Sequence, residues 1–297
     1  MSAGDRESTS GASGGAPDGG FDSDKPASRA GRNLGAAIGV GVALGAVILL
    51  TLLTYRHSFL AVIAAAVAVA TWELAGALKR SRGIEVALLP VLIGGQAMLW
   101  LSWPFGRDGV LASFVVTILV CLLWRFRGGQ DGFVRDVTAS VFTAAYVPLF
   151  AAFAAMLVLP EDGVGRVIAF ILGVVASDTG GYAAGVFFGR HPMAPRISPK
   201  KSWEGFAGSL LAGMVAGALS LTLLLDGQWW QGVLFGIALV ITATAGDLAE
   251  SLIKRDLGIK DMGTLLPGHG GLMDRMDSLL PSAVVSWLLL SLFVAVP

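Results

Sequence analysis

Charge is scarce in this sequence: only 14% of its 297 residues are Asp, Glu, Lys or Arg, against 55% hydrophobic, and the mean hydropathy is +0.73. That leaves too little polar surface to cover a water-soluble globule, so a soluble fold is excluded. Cysteine is nearly absent. Cys121, the single one, sits inside an apolar run, which excludes an intramolecular disulfide and any cysteine-cluster metal site and leaves it a small packing residue. Acidic and basic residues balance at 21 each, so nothing points to a nucleic-acid partner. There is no Walker loop and no dinucleotide fingerprint, and any nucleotide must be held by something unlike those soluble folds.

Residues 1–33 nearly lack large apolar side chains and are rich in Gly, Ser, Ala and Asp; they cannot bury a core and read as a disordered cytoplasmic tail. The tail is too long and too acidic for the front of a cleavable signal peptide, so the span after it is expected to be retained. The remainder, 34–297, reads as one transmembrane catalytic domain.

What the chain has in abundance is apolar runs of membrane-crossing length. About 20 such residues are needed to cross the hydrocarbon, and nine segments qualify, near 34–54, 58–78, 84–103, 109–124, 137–159, 164–188, 205–226, 231–252 and 276–296. The expectation is an all-α fold, a polytopic integral membrane helical bundle of about nine transmembrane helices. Its loops are too short to hold a soluble catalytic domain, so the chemistry belongs in or at the membrane. With the tail inside, only Arg56, Arg107 and Arg166 of the 21 lysines and arginines fall in outside loops. The excess of inside cations predicts a cytoplasmic N-terminus, an external C-terminus and charge-dense loops facing the cytoplasm, in a plasma (inner) membrane.

Two inside segments combine acids with this hydrophobicity. VVASDTGGYAAGVFFGRHPMAPRISPKKSWEG places Asp178 deep in an apolar run and follows it with Arg190, His191, Arg196, Lys200 and Lys201. A carboxylate at that depth costs a few kcal/mol unless paired or bound to a cation. In the eighth candidate span Thr244, Asp247, Glu250, Ser251 and Lys254 recur at spacings of three and four, one polar stripe on an apolar helix. Asp274 and Asp277, three apart, share a face at the start of the ninth. A single intramembrane acid is as often structural as functional. Four of them on three spans, interleaved with cations, go beyond what scaffolding needs. Hard carboxylate oxygens suit Mg²⁺ or Mn²⁺, and neighbouring Lys and Arg suit phosphates. The combination predicts phosphoryl or nucleotidyl transfer at a membrane surface.

The segment SLIKRDLGIKDMGTLLPGHGGLMDRMD, from Ser251 to Asp277, resembles the signature of the phosphatidate cytidylyltransferases, the CDP-diacylglycerol synthases. The upstream SDTGGY and ISPKKSWEG also resemble that family, with Ser202 where threonine is common and Lys200 where glycine is often seen. The resemblance implies CTP and phosphatidate as substrates, membrane lipids as partners, and CDP-diacylglycerol and pyrophosphate as products. It also implies Mg²⁺, with Mn²⁺ as substitute and room for a second cation, held by Asp274, Asp277, Asp247 and Asp178. The catalytic positions it implies are Asp274, Asp277, Lys254, Arg255, Arg275 and His269, and the substrate contacts are Lys201, Lys260, Ser198, Arg196, Ser251, Gly270 and Gly271. A homodimer is left open. A membrane CTP-dependent prenyl-lipid cytidylyltransferase or lipid kinase would need similar residues. A secondary transporter would also carry intramembrane acids but would usually show paired repeats, and no convincing repeat is present.

Three further features read as structural. Gly35, Gly39, Gly41 and Gly45 in the first span predict close helix packing; Trp100, Trp103, Trp124, Trp229 and Trp230 fall near span ends as an aromatic belt; Glu73 could support the site from the second span, but packing between helices is the expectation preferred for it.

Overall fold

A computed structural model describes residues 34–265 and 270–294 of the chain. The expected tail and His269 lie outside the described residues. The helices are α1 (Leu34–Thr54), α2 (Arg56–Arg82), α3 (Leu88–Arg125), α4 (Phe133–Ala144), α5 (Phe150–Leu157), α6 (Gly163–Phe188), α7 (Trp203–Leu224), α8 (Trp229–Leu257), α9 (Met273–Met276) and α10 (Leu279–Phe293). A π-helical segment, Ala145–Leu149, joins α4 to α5. The protein is an all-α polytopic membrane bundle. Among the described residues seven helical stretches are long and apolar enough to cross a membrane.

That figure and the nine candidate spans differ for a physical reason. The third and fourth candidates are the two arms of α3, which breaks at Gly106, where φ is 54° and ψ is −136°. A side chain at Gly94 would begin 1.9 Å from Thr117 Oγ1, so the arms lie against each other as a hairpin. The first candidate, α1, is described with its side chains only from Gly41 onward, apart from Gly39, and that part is a shorter apolar helix.

Glycine sets the spacing of α6, α7 and α8. A Cβ on Gly180 would lie 2.8 Å from Gly208 O, one on Gly217 would lie 2.2 Å from Gly232 O, and one on Gly236 would lie 2.1 Å from Gly213 O. Backbone touches backbone along both seams, the close approach that membrane helices obtain from small residues. Three of the α1 glycines differ from expectation: Gly39, Gly41 and Gly45 have nothing within 4 Å of a Cβ position, so no close helix approach runs through them among the described residues, and the surroundings of Gly35 lie outside the described residues.

Buried apolar residues form two main clusters. One gathers Leu74, Ala77 and Leu78 of α2 with Val147, Ala151 and Leu257, Met262 and Met273; the other gathers Phe170, Val174, Leu221, Phe235, Leu239 and Leu290. Outward-facing leucine, valine and phenylalanine are numerous, such as Leu223 and Phe187, as lipid contact requires.

Ion pairs and carbonyl contacts staple the two ends. At one end Asp136 is fully buried and accepts from Arg125 at 2.7 Å and Arg135 at 2.8 Å and from the Glu85 backbone N–H at 3.2 Å. Arg82 bonds the Asp256 carbonyl, and Arg255 reaches the Ile197 carbonyl at 3.4 Å. At the other end Arg56 donates to the Pro160 carbonyl at 2.8 Å. Buried Arg166 pairs with Asp162 at 2.8 Å and donates to the carbonyls of Leu290 and Val294. Two of the three arginines assigned outside by sequence are therefore spent holding backbone.

Candidate active site

The site forms where α6, α7, α8 and the α9–α10 entry meet. After α6 the chain makes a two-stranded antiparallel hairpin, β1 (Pro192–Ala194) and β2 (Ser198–Ser202). Glu204 closes its base, accepting from the Arg190 and His191 backbone N–H groups and contacting His191 Nδ1 at 2.5 Å. Ser202 caps α7 by accepting from Gly205 N at 3.1 Å, which satisfies an otherwise unpaired helix N-terminus. The SWEG stretch thus fixes where Lys200 and Lys201 stand.

Lys201 crosses to α8 and pairs with Asp247 at 2.5 Å. Asp247 stands beside α10 because its neighbour Gly246 has no side chain: a Cβ there would lie 2.4 Å from the Asp277 carbonyl and 2.6 Å from Pro281. Asp277 accepts from the Ser278 N–H at 2.7 Å. Asp274 is held more fully, by Lys254 Nζ at 2.9 Å and by the backbone N–H groups of Met262 and Gly271 at 2.9 Å each. Lys254 also pairs with Glu250 at 3.1 Å, and Ser251 lies 3.5 Å from Asp247.

Several of these groups line one cavity of about 510 Å³, with Glu250, Ser251 and Lys254 standing behind its wall. Asp178, Lys200, Lys201, Thr244, Asp247, Asp274, Arg275 and Asp277 all border it. All four acids singled out in the sequence are thus brought together, with Lys201 and Arg275 among them and Lys254 reached through Asp274. Other candidates stand apart: Arg255, Lys260 and Arg196 are exposed and Ser198 is half-buried, none of them bordering the cavity. Gly270 and Gly271 give close approach to protein carboxylates. Gly270 takes φ +79° beside Asp261 and Asp274, and a Cβ on Gly271 would lie 2.6 Å from Glu73 Oε2.

Two acids missing from the sequence-derived site belong to its support. Glu250 is fully buried close to Asp277, and its Oε1 has no hydrogen-bond partner among the described residues. Its place in the polar stripe of α8 was the signal for it. Glu73 reaches from α2 to the Met273 N–H at 2.8 Å, a contact across 200 positions that no local pattern announces. It packs against the loop before α9, where packing between helices was expected.

With this geometry in view, comparison with known proteins is specific. Residues 35–293 match the model of the cytidylyltransferase family. The phosphatidate cytidylyltransferase of Mycobacterium bovis is 51% identical over 89% of this chain and 90% of its own length, and that of Mycobacterium leprae is 51% identical over 91% of each. The Haemophilus influenzae phosphatidate cytidylyltransferase is 38% identical over a shorter stretch, 40% of this chain and 43% of its own. The match runs from α1 to α10 and takes in every wall of the acid-lined cavity, so this chain belongs to the cytidylyltransferase family.

Proposed function

We propose that the protein is a phosphatidate cytidylyltransferase, joining CTP and phosphatidate into CDP-diacylglycerol with release of pyrophosphate. One observation carries the reading: Asp178, Asp247, Asp274 and Asp277 from three apolar stretches border a single cavity together with Lys201 and Arg275. That is a site for polyphosphate chemistry at a lipid boundary, and relatives sharing half of the sequence over nine-tenths of the chain bear the name of that reaction.

The reaction forms a bond from a phosphate oxygen of the lipid to the α-phosphorus of CTP and breaks the bond from that phosphorus to the bridging oxygen, so pyrophosphate departs with the electron pair. The attacking oxygen is already anionic, so catalysis needs positioning and charge neutralisation more than a base. Lys201 and Arg275, inside the cavity, would meet the phosphates. Lys254 holds Asp274 in place and also contacts Glu250.

The donor set fits a hard divalent cation. Among the described residues no three His, Cys, Asp or Glu side chains already converge on one ion position, and Mg²⁺ ordinarily takes one or two carboxylates and fills its shell with phosphate oxygens and water. Asp247 and Asp277, with Asp178 and Asp274 flanking, would hold Mg²⁺ or Mn²⁺ arriving with the triphosphate. Once bound, it would neutralise charge on the triphosphate and the departing pyrophosphate. We place this end of the bundle at the cytoplasmic face of the plasma membrane, on the strength of its Lys and Arg.

The test is purified protein with α-labelled CTP, phosphatidate and Mg²⁺. Label in lipid with stoichiometric pyrophosphate is the expected result; CDP release with a phosphorylated lipid would make the protein a lipid kinase, and turnover of a prenyl phosphate in preference to phosphatidate would replace the substrate.

A further inference from the structure

We infer that Glu73, which lies outside the signature segment on α2, is a positioning residue for the reaction: it fixes the backbone that presents Asp274, Arg275 and Asp277. The inference rests on the proposed cytidylyl transfer for its kinetic readout, but its structural basis is independent of the substrate. The loop from Gly258 to Leu272 has little regular structure among its described residues, so something outside it must define where α9 starts. Two groups do so.

Asp274 ties the loop from within, accepting from Met262 N and Gly271 N. Glu73 ties it from outside. Its Oε2 accepts from Met273 N at 2.8 Å, and its carboxyl fills the space left by two glycines: a Cβ on Gly263 would meet Glu73 Oε1 at 2.1 Å, and one on Gly271 would meet Oε2 at 2.6 Å. Seven residues on, and so on the same face of α2, Arg80 donates to the Met262 carbonyl at 3.4 Å. Glu73 is 2% exposed. An acid costs free energy at such a place, and an apolar side chain would pack α2 better. What the carboxyl adds is a fixed acceptor for the N–H that precedes Asp274.

Gly263 allows a sharp test because all the atoms a Cβ there would meet most closely belong to Glu73. Gly263→Ala should dislodge the carboxyl and mimic Glu73→Ala. We expect each single variant to lose about 10-fold or more in kcat per folded molecule with KM for CTP within about 3-fold, since misplacing reacting groups lowers turnover more than binding. The double variant should lose no more than the worse single one. Glu73→Gln keeps an oxygen for the Met273 N–H and should stay within about 3-fold of the parent. Hydrogen exchange at residues 259–265 and 270–273 should quicken in Glu73→Ala and Gly263→Ala while helices α6 to α8 exchange as in the parent.

Two results would overturn the inference: single variants that keep parent turnover with unchanged exchange in the loop, or losses that multiply in the double variant. If Glu73→Ala fails to fold, Gly263→Ala and Glu73→Gln still decide the matter. A parent protein that makes no CDP-diacylglycerol would refute the proposed function alone, because the exchange measurement would continue to report on the tie between Glu73 and Met273.

Discussion

Gly236→Ala adds one carbon to the seam between α7 and α8, and the structure sets its cost. The new Cβ would lie 2.1 Å from Gly213 O, 2.5 Å from Gly213 C and 2.9 Å from Met214 N, where ordinary contact begins at 3.4 Å. All three atoms are backbone, so no rotamer change relieves the clash and the helices must separate by more than 1 Å. Overpacking of this kind costs about 1–3 kcal/mol, offset by up to about 1 kcal/mol of helix propensity gained over glycine. The consequence for catalysis is larger. Asp247 lies roughly 16 Å farther along α8, and its partner Lys201, 2.5 Å away, is anchored at the start of α7. Moving one helix against the other pulls that pair apart, and a misplacement of about 1 Å at reacting groups can cost roughly 100-fold in rate. The assay is turnover per folded molecule, with folded protein counted by detergent melting and size-exclusion profile. Gly45→Ala is the control, since nothing lies within 4 Å of its Cβ position, and it should keep parent activity and melting temperature. Parent-like melting and turnover in Gly236→Ala would refute the reasoning that backbone contact sets the site's geometry.

Two other expectations concern scaffold and sidedness. Asp136→Asn removes the buried partner of Arg125 and Arg135 and should destabilise the protein by about 3 kcal/mol or more, read as a lower melting temperature, while each folded molecule turns over at the parent rate; a turnover defect without a melting defect would make Asp136 part of the reaction. A reporter inserted near Pro195 should be cytoplasmic and one fused after Pro297 external, and both on one side would contradict the orientation drawn from charge.

The hydrophobic runs announced nearly every long helix, because lipid-facing residues must be apolar whatever they pack against. Helix ends were less legible. α2 runs on through Lys79, Arg80 and Arg82, and α8 through Lys254 and Arg255, since charged residues continue a helix into the interface where hydropathy falls. Residues 192–202 carry three prolines and no alternation, so the hairpin left no pattern to read. Within the site, Asp178, Asp247, Asp274 and Asp277 stood out because each interrupts or borders an apolar run. The separation of Lys201 and Arg275 from Lys260 and Arg196 was not legible: all four are cations on loop-proximal segments, and only the fold decides which of them faces the cavity. Glu73 could be read either as support for the site or as a packing residue, and only its partner 200 residues away decides between them.

The central claim is that the acid-lined cavity is where cytidylyl transfer occurs, and Asp277→Asn tests it most directly. The change keeps the side chain's shape and removes one charge at the point where α8 and the α9–α10 entry meet. If Asp277 takes part in binding the cation and the triphosphate, the variant should fold and melt as the parent does yet lose about 100-fold or more in CDP-diacylglycerol formed per folded molecule, roughly 2.7 kcal/mol of transition-state stabilisation. Folded Asp277→Asn protein that makes CDP-diacylglycerol at the parent rate, whatever its melting temperature, would contradict the account.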